Sequence, residues 1–230
     1  MAIDLTLSFG TLAAGSRINS TIPEPASAAN GDFFLACLYL GDGATWDIST
    51  AVTLPSGWTL IFRDDDAANP FIPGRVASTI VSYIRRGASA PDLTWVHAST
   101  ITNGWVWRIT DVVASGDPED ATRSVAFDDS NPFTWTSITT GTDGAAVIGL
   151  RSRRQTGSGS ASSLTERLDL SLLHVTADTQ ATAGASGAKE ATEANLNDTE
   201  GFLLALKPVA AAAADGGGPR TFAAFVPGFP

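Results

Sequence analysis

"GDFFLACLYL", residues 31–40, is the stretch on which the fold turns. In an extended chain successive side chains point to opposite faces, so Phe33, Leu35, Cys37 and Tyr39 line one side while Phe34, Ala36, Leu38 and Leu40 line the other. Both sides are apolar. A strand of this kind must be central in its sheet and covered on both faces. A second stretch, "GWVWRIT" at residues 104–110, alternates: Trp105, Trp107 and Ile109 point to a core, and Val106, Arg108 and Thr110 point to a partly wet face.

Outward from these two, Thr, Ser, Val, Gly and Trp dominate, and short runs recur between clusters of Gly, Pro, Asn and Asp. The pattern predicts strands at residues 4–9, 17–22, 58–63, 75–85, 93–97, 123–127, 133–139, 145–151, 164–170, 173–177 and 201–207. "LPSGW", residues 54–58, reads as a turn feeding a strand, with Pro55 fixing φ and Gly57 free to take a positive one. "GTDG", residues 141–144, reads as a hairpin loop. About a dozen short strands imply an all-β chain of two packed antiparallel sheets, a β-sandwich of jelly-roll or concanavalin-like type. The tryptophans at 46, 58, 95, 105, 107 and 135 follow no period that a propeller would need. "ASGAKEATEANLN", residues 185–197, offers Leu196 as its only long apolar side chain, so a loop or an edge strand is expected there in place of a helix, the loop being the favoured reading. "RSRRQTGSGSASS", residues 151–163, reads as a polar, flexible connection.

The character changes after Lys207, where "PVAAAAADGGGP" passes from proline through alanines to three glycines. Three parts follow: a β-sandwich body at 1–207, an Ala/Gly-rich linker at 208–218 and an extended apolar C-terminal arm at 219–230. Burying Phe222, Phe225, Val226 and Phe229 would gain about 6–12 kcal/mol. Ordering the arm's backbone costs on the order of 10–20 kcal/mol, less what the stiffness of Pro227 and Pro230 saves. The arm therefore holds well only where the body is already beside the same partner or several copies are joined. Arg220, Phe222, Phe225, Val226 and Phe229 are the expected partner-binding residues. The competing reading is that the arm folds back to seal an edge of its own sandwich.

Composition narrows the function. Fourteen Lys and Arg against twenty-four Asp and Glu give a net charge of −10, which repels a phosphate backbone and argues against nucleic acid. The start, "MAIDLTLSFGTLAAG", has no basic residue before Arg17 and so lacks the form of a secretory signal. No apolar run approaches the roughly 18 residues of a membrane span, so a soluble chain is expected. A single cysteine, Cys37, allows no disulfide framework and sits in an apolar run as a small core hydrophobe.

Catalytic and metal motifs fare no better. The acidic groups at Asp64-Asp65-Asp66, at Asp117, Glu119 and Asp120, and at Asp128-Asp129 fit no calcium-loop pattern, although such loops supply calcium-type oxygens. His97 and His174 fall in separate predicted strands and form no HExxH or close His pair, so neither metal nor cofactor is expected. Residues 184–188, Gly-Ala-Ser-Gly-Ala, fail the G-x-S-x-G pattern at the last position. Paired carboxylates of a glycoside hydrolase would have to face each other across a cleft, which spacing alone does not establish. The expectation is a protein that is not an enzyme. Six tryptophans open a further reading as a carbohydrate-binding or host-attachment module. Trp105 and Trp107 are assigned to the core, whereas Trp46 in the glycine-rich "GDGATWDIS" is the candidate glycan contact. Arg151, Arg153 and Arg154 read as loop charges available to an acidic partner.

The order "GDFFLACLYL … LPSGWTLIFR … GRVASTIVSYIRRGASAPDLTWVH … NGWVWRITDV", residues 31–113, with an echo in "EGFLLALKP" at 200–208, resembles β-sandwich structural proteins of tailed bacteriophages and gene-transfer particles. The resemblance implies a non-enzymatic virion component at the exterior of the particle, made in the host cytoplasm. Its place would be in a tail, neck, fibre or head-decoration position, and its usual state a homo-oligomer. Oligomerisation is also one way to cover the second apolar face of residues 33–40.

Overall fold

The computed structural model describes residues 2–41, 52–65, 77–128, 131–153, 158–161, 163–193 and 199–210. Among the described residues there is no helix, and the strands are β1 (Phe9–Thr21), β2 (Phe33–Gly41), β3 (Thr59–Asp65), β4 (Ala77–Arg85), β5 (Thr94–Ile109), β6 (Ser124–Asp128), β7 (Phe133–Trp135), β8 (Thr139–Thr140), β9 (Ala145–Arg153), β10 (Gly159–Ala161), β11 (Glu166–Asp169), β12 (Leu173–Gln180), β13 (Gly184–Ala185), β14 (Lys189–Glu193) and β15 (Thr199–Leu206). Two five-stranded antiparallel sheets form the body, one in the order β1-β5-β2-β4-β3 and one in the order β11-β12-β9-β15-β6. The all-β antiparallel sandwich expected from the sequence is the fold.

The core between the sheets follows from the period-2 alternation. Phe33, Leu35, Cys37 and Tyr39 of β2 and Trp105, Trp107 and Ile109 of β5 meet Ile148 and Leu150 of β9, Val175 of β12, and Phe202 and Leu204 of β15. Phe9 stacks on Trp107 at 4.8 Å between ring centroids and stands edge-on to Trp105, while Phe62 meets Phe202 across the layer at 4.4 Å. The β3 edge therefore faces the β15–β6 side. At the opposite side, Asn103 of β5 donates to the Leu12 carbonyl and accepts from the Leu172 backbone, tying β1 to the turn between β11 and β12.

Each main sheet is also covered on its outer face, within the chain. Phe34, Ala36, Leu38, Leu40, Trp95 and Val106 pack under Ile22, Trp58 and Leu93 on the first sheet. On the second sheet, Val147, Leu203 and Ala205 pack under Phe133, Trp135, Leu164 and Ala191. This second cover includes a small sheet, β10-β14-β7. Glycines mark the points of closest approach. A Cβ at Gly104 would come within 2.9 Å of the Ile22 side chain, and one at Gly201 within 2.6 Å of the Trp135 indole.

Several expectations are corrected. The second face of β2 is buried by Ile22, Trp58 and Leu93 of the same chain, so its apolarity needs no oligomer. For the same reason Val106 lies in a core, and the outer face of β5 is not wet there. Residues 93–97 and 104–110 belong to one 16-residue strand, β5, because β1 and β2 carry its hydrogen bonds through the polar middle. Residues 4–8 form no named strand: Asp4 bridges Thr110 and the Ser8 carbonyl accepts from the Arg108 amide at 3.1 Å before β1 begins at Phe9. Residues 141–144 are not a hairpin loop, since β8 pairs with β13 while β9 pairs with β12 and β15. Residues 185–197 were expected as loop, yet Lys189–Glu193 form β14 between β10 and β7. The short side chain of Ala191 there fits the buried cover without a long apolar stripe. The "LPSGW" turn forms as read, with Gly57 at φ 83° and the Trp58 backbone donating to the Pro55 carbonyl at 3.2 Å.

Candidate functional site

The expected partner-binding residues Arg220, Phe222, Phe225, Val226 and Phe229, and the candidate glycan contact Trp46, lie outside the described residues. The other five tryptophans are closed to any ligand. Trp95, Trp105, Trp107 and Trp135 are fully buried and Trp58 nearly so, with its indole N–H donating to the Asp92 carbonyl at 2.8 Å. None of these five offers a sugar a stacking platform.

Of the acidic groups, Asp66 and Asp129 lie outside the described residues, and the acidic segment at 117–120 is engaged by backbone amides, a hydroxyl and an arginine. Asp117 accepts from the Glu119 amide at 3.0 Å. The Asp120 carboxylate accepts from the amides of Gly141 and Thr142 at 2.8 and 3.0 Å and from the Thr142 hydroxyl at 2.5 Å, stitching this loop to the turn before β9. Both Glu119 oxygens take bonds from Arg123, at 2.7 and 2.8 Å. Burial holds the Glu119 carboxyl above its ordinary range against the pull of Arg123. An open depression of about 420 Å³ lies over these residues. Among the described residues no group of three or more His, Cys, Asp or Glu is disposed to hold a metal ion.

The concentration of buried charge is elsewhere, on the outer face of the second sheet. Along β9 the inner positions are Ala146, Ile148 and Leu150, so Arg151 and Arg153 point outward beneath the cover. The sequence reading placed these arginines in an exposed loop. They are instead strand residues, 1% and 3% exposed, and Arg154 lies outside the described residues. Arg153 pairs with Asp169 of β11 and donates to the Leu170 carbonyl at 3.2 Å, while the other Asp169 oxygen receives the Gly159 amide of β10 at 3.1 Å. Arg151 lies 4.5 Å over the Phe133 ring, near the Ala191 carbonyl at 3.5 Å. His174, in register with Arg151 and Asp169, approaches Glu166 at 3.3 Å through Nε2. Burial above all, and Arg153 next, lower the His174 pKa, opposed by Asp169 and Glu166.

This arrangement bonds the small covering sheet to the main one at both ends. Its charges are matched within the cluster, and the His174–Glu166 couple has no hydroxyl or thiol nucleophile among its bonded partners. The signal in the sequence was the alternation Leu150-Arg151-Ser152-Arg153, which continues the strand pattern of 145–150. Its acidic partners come from "ERLD", residues 166–169, and only the fold brings the two together.

Three further polar side chains, Thr79, Cys37 and His97, are internal. Thr79 of β4 reaches across the core, with its hydroxyl 3.1 Å from both Ser152 Oγ and Glu200 Oε2. Burial, with Glu200 adding to it, pushes the Cys37 thiol well above its ordinary value, the reverse of nucleophile activation. His97 meets Ser20 at 2.8 Å, joining β5 to β1, and burial lowers its pKa also. Searches of family models, curated proteins and solved structures found no match to the chain.

Proposed function

We propose that the chain is a non-enzymatic structural component at the exterior of a bacteriophage-like particle, a β-sandwich fastened to neighbouring subunits by its C-terminal arm. The observation that carries this reading is the completeness of the body. Among the described residues, the core and both covers are assembled from positions between Ile3 and Leu206. The charged groups described above are engaged in joining one strand or loop to another. Phe222, Phe225, Val226 and Phe229 follow these residues in the sequence, and an apolar segment on a glycine tether is suited to a partner.

The positions that carry the resemblance to phage β-sandwich proteins occupy places that hold the fold together. Gly31 and Gly57 both take positive φ, which favours glycine, at 91° and 83°. Asp32 and Arg108, distant in sequence, form a 2.6 Å ion pair between β2 and β5, and Asp32 also receives the Ala29 amide. A motif made of turn glycines and an internal ion pair serves the fold, as expected of a structural family.

Deletion of residues 216–230 tests the proposal during assembly of the parent particle. The truncated protein is expected to keep its β circular dichroism and to be absent from purified particles that incorporate the full chain stoichiometrically. Incorporation of the truncated chain at full stoichiometry would overturn the reading.

A further inference from the structure

Resting on that reading, we infer that the arm's partner is a second copy of this chain, and that the docking surface is the free edge of β1. Of the four outer strands of the two main sheets, three carry charge that discourages pairing. β3 ends in Arg63-Asp64-Asp65, β11 reads Glu-Arg-Leu-Asp, and β6 is five residues long and ends in Asp128. β1 differs. Its 13 residues, "FGTLAAGSRINST", contain no proline and one charge, Arg17, whose guanidinium turns back onto the Gly15 carbonyl at 3.1 Å and Thr102. Ala13, Ala14 and Ser16 are exposed, and Ile18 is 67% exposed. Two register shifts bend the strand without charging it.

The flank beside this edge is apolar. Phe9 on β1, Ile101 on β5, and Leu168 and Leu170 on and beside β11 are only partly buried where they pack against the core. An added strand would close that side as well as satisfy the backbone. The arm carries the matching element: "TFAAFV", residues 221–226, is free of proline and charge and places Phe222 and Val226 on one face with Phe225 on the other.

The geometry selects a second copy over the chain's own edge. The Val209 amide donates to the Asp111 carbonyl at 2.7 Å, and the adjacent Thr110 bridges Asp4, so Val209 lies at the end where β1 begins. A segment pairing with its own β1 would need only a short turn there. Instead residues 210–218 intervene, a spacer reaching about 30 Å when extended. That reach suits a neighbouring molecule.

Cysteine cross-linking tests this directly, because the one native cysteine, Cys37, is buried. Full-length Ser16→Cys protein is mixed with full-length Ala224→Cys protein and treated with a short bismaleimide. Ala14→Cys is run in parallel so that both neighbouring positions on the strand are sampled. The expected result is an adduct of twice the chain mass in the mixture, absent when either variant is treated alone and reduced by an excess of wild-type full-length chain. No adduct in either mixture overturns the inference, and so does a Ser16→Cys/Ala224→Cys double variant that links only within one chain. If cross-linking fails while deletion of 216–230 still abolishes incorporation into particles, the anchoring role stands and the acceptor is a different subunit. If deletion leaves incorporation intact, the anchoring role falls.

Discussion

Both main sheets bury their outer faces, but with different material. Over the first sheet the cover is irregular chain, in which Ile22, Trp58 and Leu93 press on a mainly apolar face. Over the second, strands β7, β10 and β14 form a small sheet whose cover is half apolar, through Phe133 and Trp135, and half ionic, through Arg151 and Arg153. The comparison teaches that two-sided burial of a central strand specifies that a cover exists and leaves its construction open. Loops can cover a greasy face because side chains alone meet it. A face carrying arginines needs carbonyls and carboxylates at fixed positions, which paired strands supply.

The largest expected effect comes from removing the aromatic anchor of the second cover. Trp135→Ala should destabilise the fold by about 3–5 kcal/mol, read from the urea midpoint, because a fully buried indole is lost. Next, Asp169→Asn should cost about 3 kcal/mol, at the low end for a broken buried pair since Asp169 is itself 22% exposed. On the first sheet the Arg108–Asp32 pair is the counterpart, whereas the neutral Thr53 meets Val96 through its backbone, so an equal loss from Thr53→Val would break the comparison. Smaller again is the contrast between glycines. Gly201→Ala meets two aromatic rings within 2.8 Å and should cost about 1–3 kcal/mol, whereas Gly104→Ala first meets the movable tips of Ile22 and Leu38 and should cost less.

The smallest effect is the pH dependence, and it sharpens the contrast by pairing one histidine from each sheet. Both His97 and His174 are held below their ordinary value by burial. Each then binds a proton more weakly folded than unfolded, so the stability is full above about pH 6.5 and declines as pH falls below it. His174, surrounded by Arg151 and Arg153 of β9 and by Glu166 and Asp169 of β11, should dominate. His174→Gln is expected to flatten the decline in melting temperature between pH 7 and pH 5 more than His97→Gln does.

Much of the fold was legible because it rests on local periodicity. Residues 33–40 announced a strand covered twice, and Trp105, Trp107 and Ile109 announced one wall of the core; both appear where the alternation placed them. The charge cluster was not legible. Arg151 and Arg153 look like loop residues until Asp169, sixteen positions beyond Arg153, is brought beside them by the β11–β12–β9 pairing. β14 was missed for a related reason, since Lys189-Glu190-Ala191-Thr192-Glu193 has a single buried apolar residue and its strand character comes from β7 and β10 on either side.

The position of β15 sets how the body would bear mechanical load. The strand lies between β9 and β6, hydrogen-bonded along both margins, and the chain that emerges from it is the one leading to the arm. Sheet hydrogen bonds run across the strands, so tension entering along β15 is shared by many of them in shear and cannot open them one at a time. A pull on the tether thus meets the mechanically strongest direction that an antiparallel sheet possesses.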